Sequence, residues 1–174
     1  MENPFWSNSI FKRDKSDVLH LLKSVPIFES LDSKELSKIS KILHQRDWKI
    51  GELIVEEGRP GMGMHIILKG VVEIREVSGV HNTIQLAKLG AGDFFGEQAL
   101  LDDSPRTATV TAIETCTTFG FFRPDMLEIV ESDPRLGLKI VTHLAQMLSI
   151  RLRHTNVLLK QAVPKSTQTP TSKY

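Results

Sequence analysis

The sequence is poor in several features that mark common classes of protein. One cysteine in 174 residues cannot form an intramolecular disulfide, and a reducing, intracellular environment is expected. The 22 lysines and arginines nearly balance the 21 aspartates and glutamates, so no net positive field attracts a nucleic acid. No continuous apolar run marks a signal peptide or a membrane span. These shortages favour a soluble cytoplasmic protein that contacts neither membrane nor DNA directly.

Helical patterns lie at both ends of the chain. A short helix is expected over residues 17–23, and the capping-box pair Asp32 and Glu35 begins a second helix that ends near His44. Near the other end, Arg123 and Pro124 open a helix to about Glu131, and Asp133 caps a long amphipathic helix to about Lys160.

Short strand patterns fill the middle of the chain. Nine of the 11 glycines lie between Gly51 and Gly96, so tight reversals concentrate there. Many short strands with glycine turns predict a closed or rolled antiparallel barrel. Cys116 is expected to be a small core residue of the last strand. The predicted strands are IGELIVEEG, MHIILKG, VVEIREV, TIQLAKLG, TATVTAI and TTFGFF.

We expect one domain over residues 26–160. Residues 1–25 form a preceding segment that contains the short helix. The aromatic residues Phe5, Trp6 and Phe11 of that segment are available to pack on the domain or on an effector protein. The tail over residues 161–174 has hardly anything to bury, so disorder is expected there.

The stretch GDFFGEQALLDDSPRTATVTA, residues 92–112, combines groups that suit a nucleotide. Arg106 follows a proline and precedes two small residues, an arrangement that suits a rigidly held guanidinium aimed at phosphate. Residues 97–101 predict a single helical turn whose free amides attract anions. The carboxylate of Glu97 suits hydroxyl groups. A sugar hydroxyl together with a phosphate indicates a nucleotide.

This stretch resembles the phosphate-binding cassette of cyclic nucleotide-binding domains. The matching residues are Phe95, Gly96, Glu97, Ala99, Leu100, Arg106, Thr107, Ala108 and Val110. The resemblance implies that Glu97 holds the ribose 2′-hydroxyl, that Arg106 pairs with the exocyclic phosphate, and that amides around Ala99 and Leu100 complete the cradle. The ligand-binding set expected from residues 96–108, which we call the cassette segment, is Gly96, Glu97, Gln98, Ala99, Leu100, Arg106, Thr107 and Ala108.

The resemblance covers roughly residues 26–160 and implies a fold. That fold is an antiparallel β-roll, a jelly-roll-like double-stranded β-helix, with N-terminal helices and a long C-terminal helix. LIVEEGRPGMGMHIILKG also resembles the family's first glycine signature. Two positions differ from that signature. Arg59 stands where the family usually has an acidic or amide residue, and His65 stands where it usually has a bulky apolar residue.

The long C-terminal helix carries a coiled-coil seam, which predicts a homodimer. Packing of the same stripe on the β-roll is an equal alternative for the first half of the helix. RLRHTN resembles the dimer helix of family members of the catabolite activator type, which implies that Thr155 and Asn156 contact the base, with Asn156 at a position usually held by serine. The seam residues are Leu138, Val141, Ala145, Leu148, Leu152, Thr155 and Leu159.

The expected function is a sensor that binds cAMP without catalysis and signals through its flanking helices. A cGMP-selective sensor is one alternative, since the hydroxyl of Thr107 can meet the 2-amino group of guanine. A ligand-free dimerisation module of the same fold is another. A cupin-type metalloenzyme is least favoured and no metal is expected, because the six histidines form no His-x-His pair, and His65 and His81 have no second ligand at usable spacing.

Overall fold

A computed structural model of the chain describes residues 15–78 and 82–162. The expectations for the aromatic N-terminal residues and for a disordered tail after residue 162 lie outside the described residues.

Antiparallel sheets form the body of the molecule, which confirms the predicted β-roll. Within the described residues, eight strands form two four-stranded sheets, in the orders β1-β8-β3-β6 and β2-β7-β4-β5. The non-sequential order arises because the chain passes back and forth between the two sheets, as in a roll. The strands are β1 (His44–Trp48), β2 (Leu53–Val55), β3 (Gly63–Lys69), β4 (Val72–Ser78), β5 (Asn82–Leu89), β6 (Phe94–Phe95), β7 (Thr109–Ala112) and β8 (Cys116–Phe122).

Helices flank the roll at both ends of the described chain. The side chain of Asp32 accepts hydrogen bonds from the amides of Lys34 and Glu35, and Glu35 completes the predicted capping box. Asp133 accepts from the amide of Leu136 at the start of the long helix. The α-helices are α1 (Lys15–Ser24), α2 (Ser33–Ile42), α3 (Arg123–Ser132) and α4 (Pro134–Ala162), and a 3₁₀ turn lies at Pro26–Phe28.

The apolar core has two parts. The larger part lies between the helices and the β1-β8-β3-β6 sheet and includes Phe28, Ile66 and Ile140. The smaller part lies between the two sheets and includes Trp48 and Val110. Cys116 belongs to this inner part and is fully buried, as predicted.

Two strands have no counterpart among the predicted segments. β1 has the sequence HQRDW, which is polar except at its end, because it lies at a sheet edge and pairs with β8 alone among the described strands. β6 contains only two residues, so no alternation can be read from it. Helix α2 ends at Ile42 rather than near His44, because His44 already pairs with Gly120 of β8.

Helix α4 extends to Ala162, two residues beyond its predicted end. Its core-facing side chains are Leu136, Ile140, Leu144 and Met147. The predicted seam lies beside this face, and its residues Leu138, Leu152 and Leu159 are 69%, 63% and 61% exposed. The first half of α4 therefore packs on the body of the protein partly through the seam residues Val141 and Leu148, as the packing alternative predicted. Across the described part of the chain, no helix combines the length and hydropathy that a bilayer-spanning segment needs.

Candidate functional site

A cavity of about 330 Å³ lies between the cassette segment, the β2-β7-β4-β5 sheet and helix α4. This volume is at the small end of the range for ligand pockets, about 300–1,000 Å³, and suits a single mononucleotide. Its lining residues are Val55, Ile74, Leu86, Ala87, Leu89, Phe94, Phe95, Gly96, Glu97, Gln98, Ala99, Asp102, Ser104, Pro105, Arg106, Thr107, Ala108, Val110 and Arg151.

Gly96 sets the geometry of the cassette segment. Its φ of +79° is left-handed, and it precedes the predicted helical turn, which is a 3₁₀ turn at Glu97–Leu100. A Cβ at Gly96 would overlap the guanidinium of Arg106 and approach the carbonyl oxygen of Gly63 to 3.1 Å. Only glycine satisfies both the backbone conformation and the close approach of the guanidinium.

Arg106 is held in place by main-chain contacts on both sides. Its amide donates to the carbonyl of Arg59 at 2.8 Å, and its own carbonyl accepts from the amide of Gly58 at 2.9 Å. The preceding Pro105 forms an isolated bridge with Pro60. These contacts fix the backbone from which the guanidinium projects into the cavity.

The guanidinium of Arg106 is half-buried, and its hydrogen bonds within the described residues go to neutral carbonyl oxygens. Nη1 donates to the carbonyl of Gly96 at 3.1 Å, and Nη2 donates to the carbonyl of Gly63 at 2.7 Å. Burial lowers the pKa of Arg106, and the negative charge of Glu97 opposes that shift. Arg106 belongs to none of the ion pairs found among residues 15–78 and 82–162. Because no carboxylate neutralises it there, this guanidinium can form an ion pair with an anionic ligand.

Glu97 is buried, with 3% of its surface exposed. Its Oε1 accepts a hydrogen bond from Nη1 of Arg151 on helix α4. The guanidinium carbon of Arg151 also lies 5.3 Å from the ring centre of Phe94. The side chain of Arg151 therefore links helix α4 to the cassette segment.

The structure brings together most of the residues predicted for the site. Leu100 lies beneath the cavity in the larger core. Thr155 and Asn156 lie on the exposed second half of α4 and do not line the cavity within this chain, and the hydroxyl of Thr155 donates to the carbonyl of Arg151 at 3.0 Å. The predicted residues that line the cavity are Gly96, Glu97, Gln98, Ala99, Arg106, Thr107 and Ala108.

Arg151 was not among the predicted site residues. It stands one helical turn before Thr155, on the helix already expected to reach the ligand. Spacing alone did not identify it, because an arginine on a helix surface is most often solvated. Asp102 and Ser104 also line the cavity and lay within the stretch that carried the prediction.

His65 behaves as an aromatic core residue. Its ring stacks on Phe95 with centroids 5.3 Å apart, and its Nδ1 lies 3.4 Å from the hydroxyl of Thr118. Burial, with the positive charges of Arg106 and Arg46, lowers the pKa of His65 to about 3, so the ring is neutral at physiological pH. His81 lies outside the described residues. In the part of the chain that the structure describes, no three metal-binding side chains converge.

Comparison with known families identifies the class of this domain. The family model for the cyclic nucleotide-binding domain matches residues 45–133, which include both sheets and the cassette segment. The chain belongs to the cyclic nucleotide-binding domain family. This family consists of regulatory and sensor domains, and the matched region includes Glu97 and Arg106, which line the cavity.

Relatives and solved structures agree with this assignment. A cAMP-dependent protein kinase regulatory subunit of Mycosarcoma maydis is 34% identical over 134 residues, which are 77% of this chain and 24% of that protein. A cyclic AMP receptor protein of Thermus thermophilus is 30% identical over 141 residues, which are 79% of this chain and 62% of that protein. The crystal structure of the Thermus thermophilus catabolite activator protein superposes with a TM-score of 0.72 at 28% identity, covering 78% of this chain and 62% of that one. The chain thus spans about a quarter to three fifths of the length of these relatives.

Proposed function

We propose that this cyclic nucleotide-binding domain binds cAMP in the cavity and signals through helix α4. In this proposal Arg106 pairs with the exocyclic phosphate, Glu97 accepts from the ribose 2′-hydroxyl, and the amides of Ala99 and Leu100 help to hold the phosphate. Membership of the family supports a cyclic nucleotide as the ligand. The names of two relatives, a cAMP-dependent protein kinase regulatory subunit and a cyclic AMP receptor protein, favour adenine as its base.

The observation that carries the proposal is the half-buried guanidinium of Arg106. It faces a 330 Å³ cavity, contacts carbonyl oxygens, and has no carboxylate in direct ion-pair contact among the described residues. Burying a cation without a counter-charge costs free energy that a bound anion recovers. A structural role would be better served by a carboxylate partner, as Arg151 has in Glu97.

Calorimetric titration of the full chain with cAMP and cGMP tests the proposal directly. Saturable binding of one cAMP per chain, tighter than that of cGMP, is the expected result. The ligand-free module is the competing function, and it requires that neither nucleotide binds at millimolar concentration.

We further propose that Arg151 links ligand binding to the position of α4. An ionised carboxylate offers about four acceptor sites, so Glu97 can accept from Arg151 and from a ribose hydroxyl together. Because the hydroxyl and Arg151 share one carboxylate, occupancy of the site changes the contact that holds α4. A ligand shifts the balance between two positions of the helix only through its difference in affinity for them.

Thr107 tests the choice between cAMP and cGMP. It lines the cavity directly after Arg106, so its hydroxyl is available to a guanine 2-amino group. We expect Thr107→Ala to lower cGMP affinity by more than a few-fold, about 1 kcal/mol, while sparing cAMP if Thr107 reads guanine. Equal losses for both nucleotides, measured by competition against a fluorescent analogue, would instead assign Thr107 to the phosphate side.

We propose that the exposed seam of α4 pairs two chains and brings Thr155 and Asn156 to the base. The second half of the helix leaves Leu152 and Leu159 more than half exposed, which a partner helix would cover. An effector protein is proposed as the receiver of the signal. No catalytic step and no direct DNA contact form part of this proposal, and its setting is the cytoplasm.

Thr155→Leu tests the paired helix. Leucine at this position should strengthen the dimer, because a lone polar residue on a seam costs stability. The same change should weaken cAMP binding by about 1 to 2 kcal/mol through loss of the hydroxyl. Sedimentation and calorimetry check both effects, with Ser149→Leu as a control outside the seam. A wild-type monomer at tens of micromolar with saturating cAMP would argue against pairing.

A further inference from the structure

The ionisable residues that line the cavity balance to zero charge. They are Glu97, Asp102, Arg106 and Arg151. Arg151 is committed to Glu97 by an ion pair. Neither Arg106 nor Asp102 forms an ion pair among the residues that the structure describes. One cation and one anion are therefore left to face a ligand.

The carboxylate of Asp102 is exposed at the cavity wall and is hydrogen-bonded within its own turn. Its Oδ1 accepts from the amide of Ser104 at 3.3 Å, and its Oδ2 accepts from the hydroxyl of Ser104 at 2.9 Å. Both residues line the cavity, between the Glu97–Leu100 turn and Arg106. The negative charge of Asp102 thus lies in the same cavity wall as Arg106.

This arrangement matches one negative charge on the ligand better than two. A phosphodiester carries a single negative charge, whereas a phosphomonoester carries about −1.5 to −2 at pH 7. Arg106 can neutralise the first charge. A second charge would find no further uncommitted cation among the described lining residues and would be repelled by Asp102.

We propose that Asp102 is a specificity-determining residue that disfavours dianionic phosphomonoesters, such as 5′-AMP, relative to monoanionic phosphodiesters. The proposal rests on the nucleotide site proposed above and adds a charge criterion to the shape of the cavity. The site would then distinguish a cyclic phosphodiester from an open phosphomonoester partly because the cyclic form carries one negative charge fewer.

Two variants separate the charge of Asp102 from its role in the turn. Asp102→Asn removes the charge and keeps a side-chain oxygen that can accept from the amide of Ser104. Asp103→Asn is the matched control, because Asp103 is the adjacent carboxylate, is paired with Arg123, and does not line the cavity.

Three ligands separate charge from shape. They are cAMP, 5′-AMP and the methyl ester of 5′-AMP, which is open-chain like 5′-AMP but monoanionic like cAMP. The dissociation constant of each is measured by competition against a fluorescent cyclic nucleotide at pH 7.5, in low and in moderate salt.

For Asp102→Asn, the ratio of the 5′-AMP constant to the cAMP constant should fall about three- to tenfold in low salt and less in moderate salt. The ratio for the methyl ester should stay within twofold of the wild type, as should both ratios in Asp103→Asn. An unchanged 5′-AMP ratio in Asp102→Asn, with cAMP binding retained, overturns the proposal. An equal fall for the methyl ester also overturns it, because the effect would then follow shape. Failure of the wild type to bind cAMP contradicts the proposed function instead.

Discussion

Arg106→Ala is expected to weaken cAMP binding by about 2 to 5 kcal/mol, because it removes the counter-charge of a partly buried phosphate. At about 1.4 kcal/mol per tenfold change, the dissociation constant should rise roughly thirty-fold to a few thousand-fold. Calorimetry or competition against a fluorescent analogue measures the change. The dissociation constant of Arg106→Lys should lie between those of the wild type and Arg106→Ala, because lysine keeps the positive charge but lacks the planar guanidinium.

Arg59→Ala is the matched control for this experiment. Its side chain is 72% exposed and pairs with Glu56, and its hydrogen bond with Arg106 is made by the backbone carbonyl. Binding by this variant should stay within about twofold of the wild type, since surface ion pairs contribute little. The melting temperature of ligand-free Arg106→Ala should differ from that of the ligand-free wild type by only a few degrees, because the lost hydrogen bonds are offset by removal of a half-buried cation. A folded Arg106→Ala protein with unchanged affinity would show that the site is assigned wrongly.

Glu97→Ala should cost about 1.5 to 3 kcal/mol of cAMP binding, or roughly ten- to 150-fold in the dissociation constant. The loss is smaller than for Arg106 because the partner is a neutral hydroxyl. Titration with 2′-deoxy-cAMP provides a second readout: the wild type should bind it more weakly than cAMP, whereas Glu97→Ala should bind the two alike. Equal discrimination in both proteins would contradict the role of Glu97.

A double-mutant cycle with Arg151→Met extends this test to helix α4. If Glu97 is shared between Arg151 and the ligand, the effect of Arg151→Met on cAMP affinity should largely vanish in the Glu97→Ala background. Glu56→Ala serves as the control glutamate, because its ion pair lies with Arg59 outside the cavity. Additive effects of the two changes would mean that Arg151 acts on the ligand independently of Glu97.

The local part of the site could be predicted from the sequence because its residues are close together in the chain. Gly96 and Arg106 are ten residues apart, and glycine before a helical turn has a specific backbone reason. The same holds for the capping box at Asp32 and for the start of α4 after Asp133. In each case the residue types reflect contacts made within a few positions.

The rest depended on long-range packing that the sequence does not display. Arg151 lies 54 residues from Glu97, and their contact depends on how α4 crosses the roll. The sequence does not predict β1 because an edge strand needs few apolar residues. It does not predict β6 because two residues are too few to show an alternating pattern. The base contacts of Thr155 and Asn156 rest on resemblance and stay predictions, since the exposed half of α4 bears them.

The fully buried Cys116 makes the proposed movement of α4 convenient to measure. Burial raises the pKa of its thiol, and its Sγ lies 3.2 Å from the carbonyl oxygens of Val71 and Glu114, so it is protonated and shielded from reagents. As the sequence holds no other cysteine, a maleimide dye would attach selectively to a cysteine introduced at an exposed α4 position such as Ser149. The native protein therefore already serves as the background for fluorescence or spin-label distance measurements between α4 and the roll.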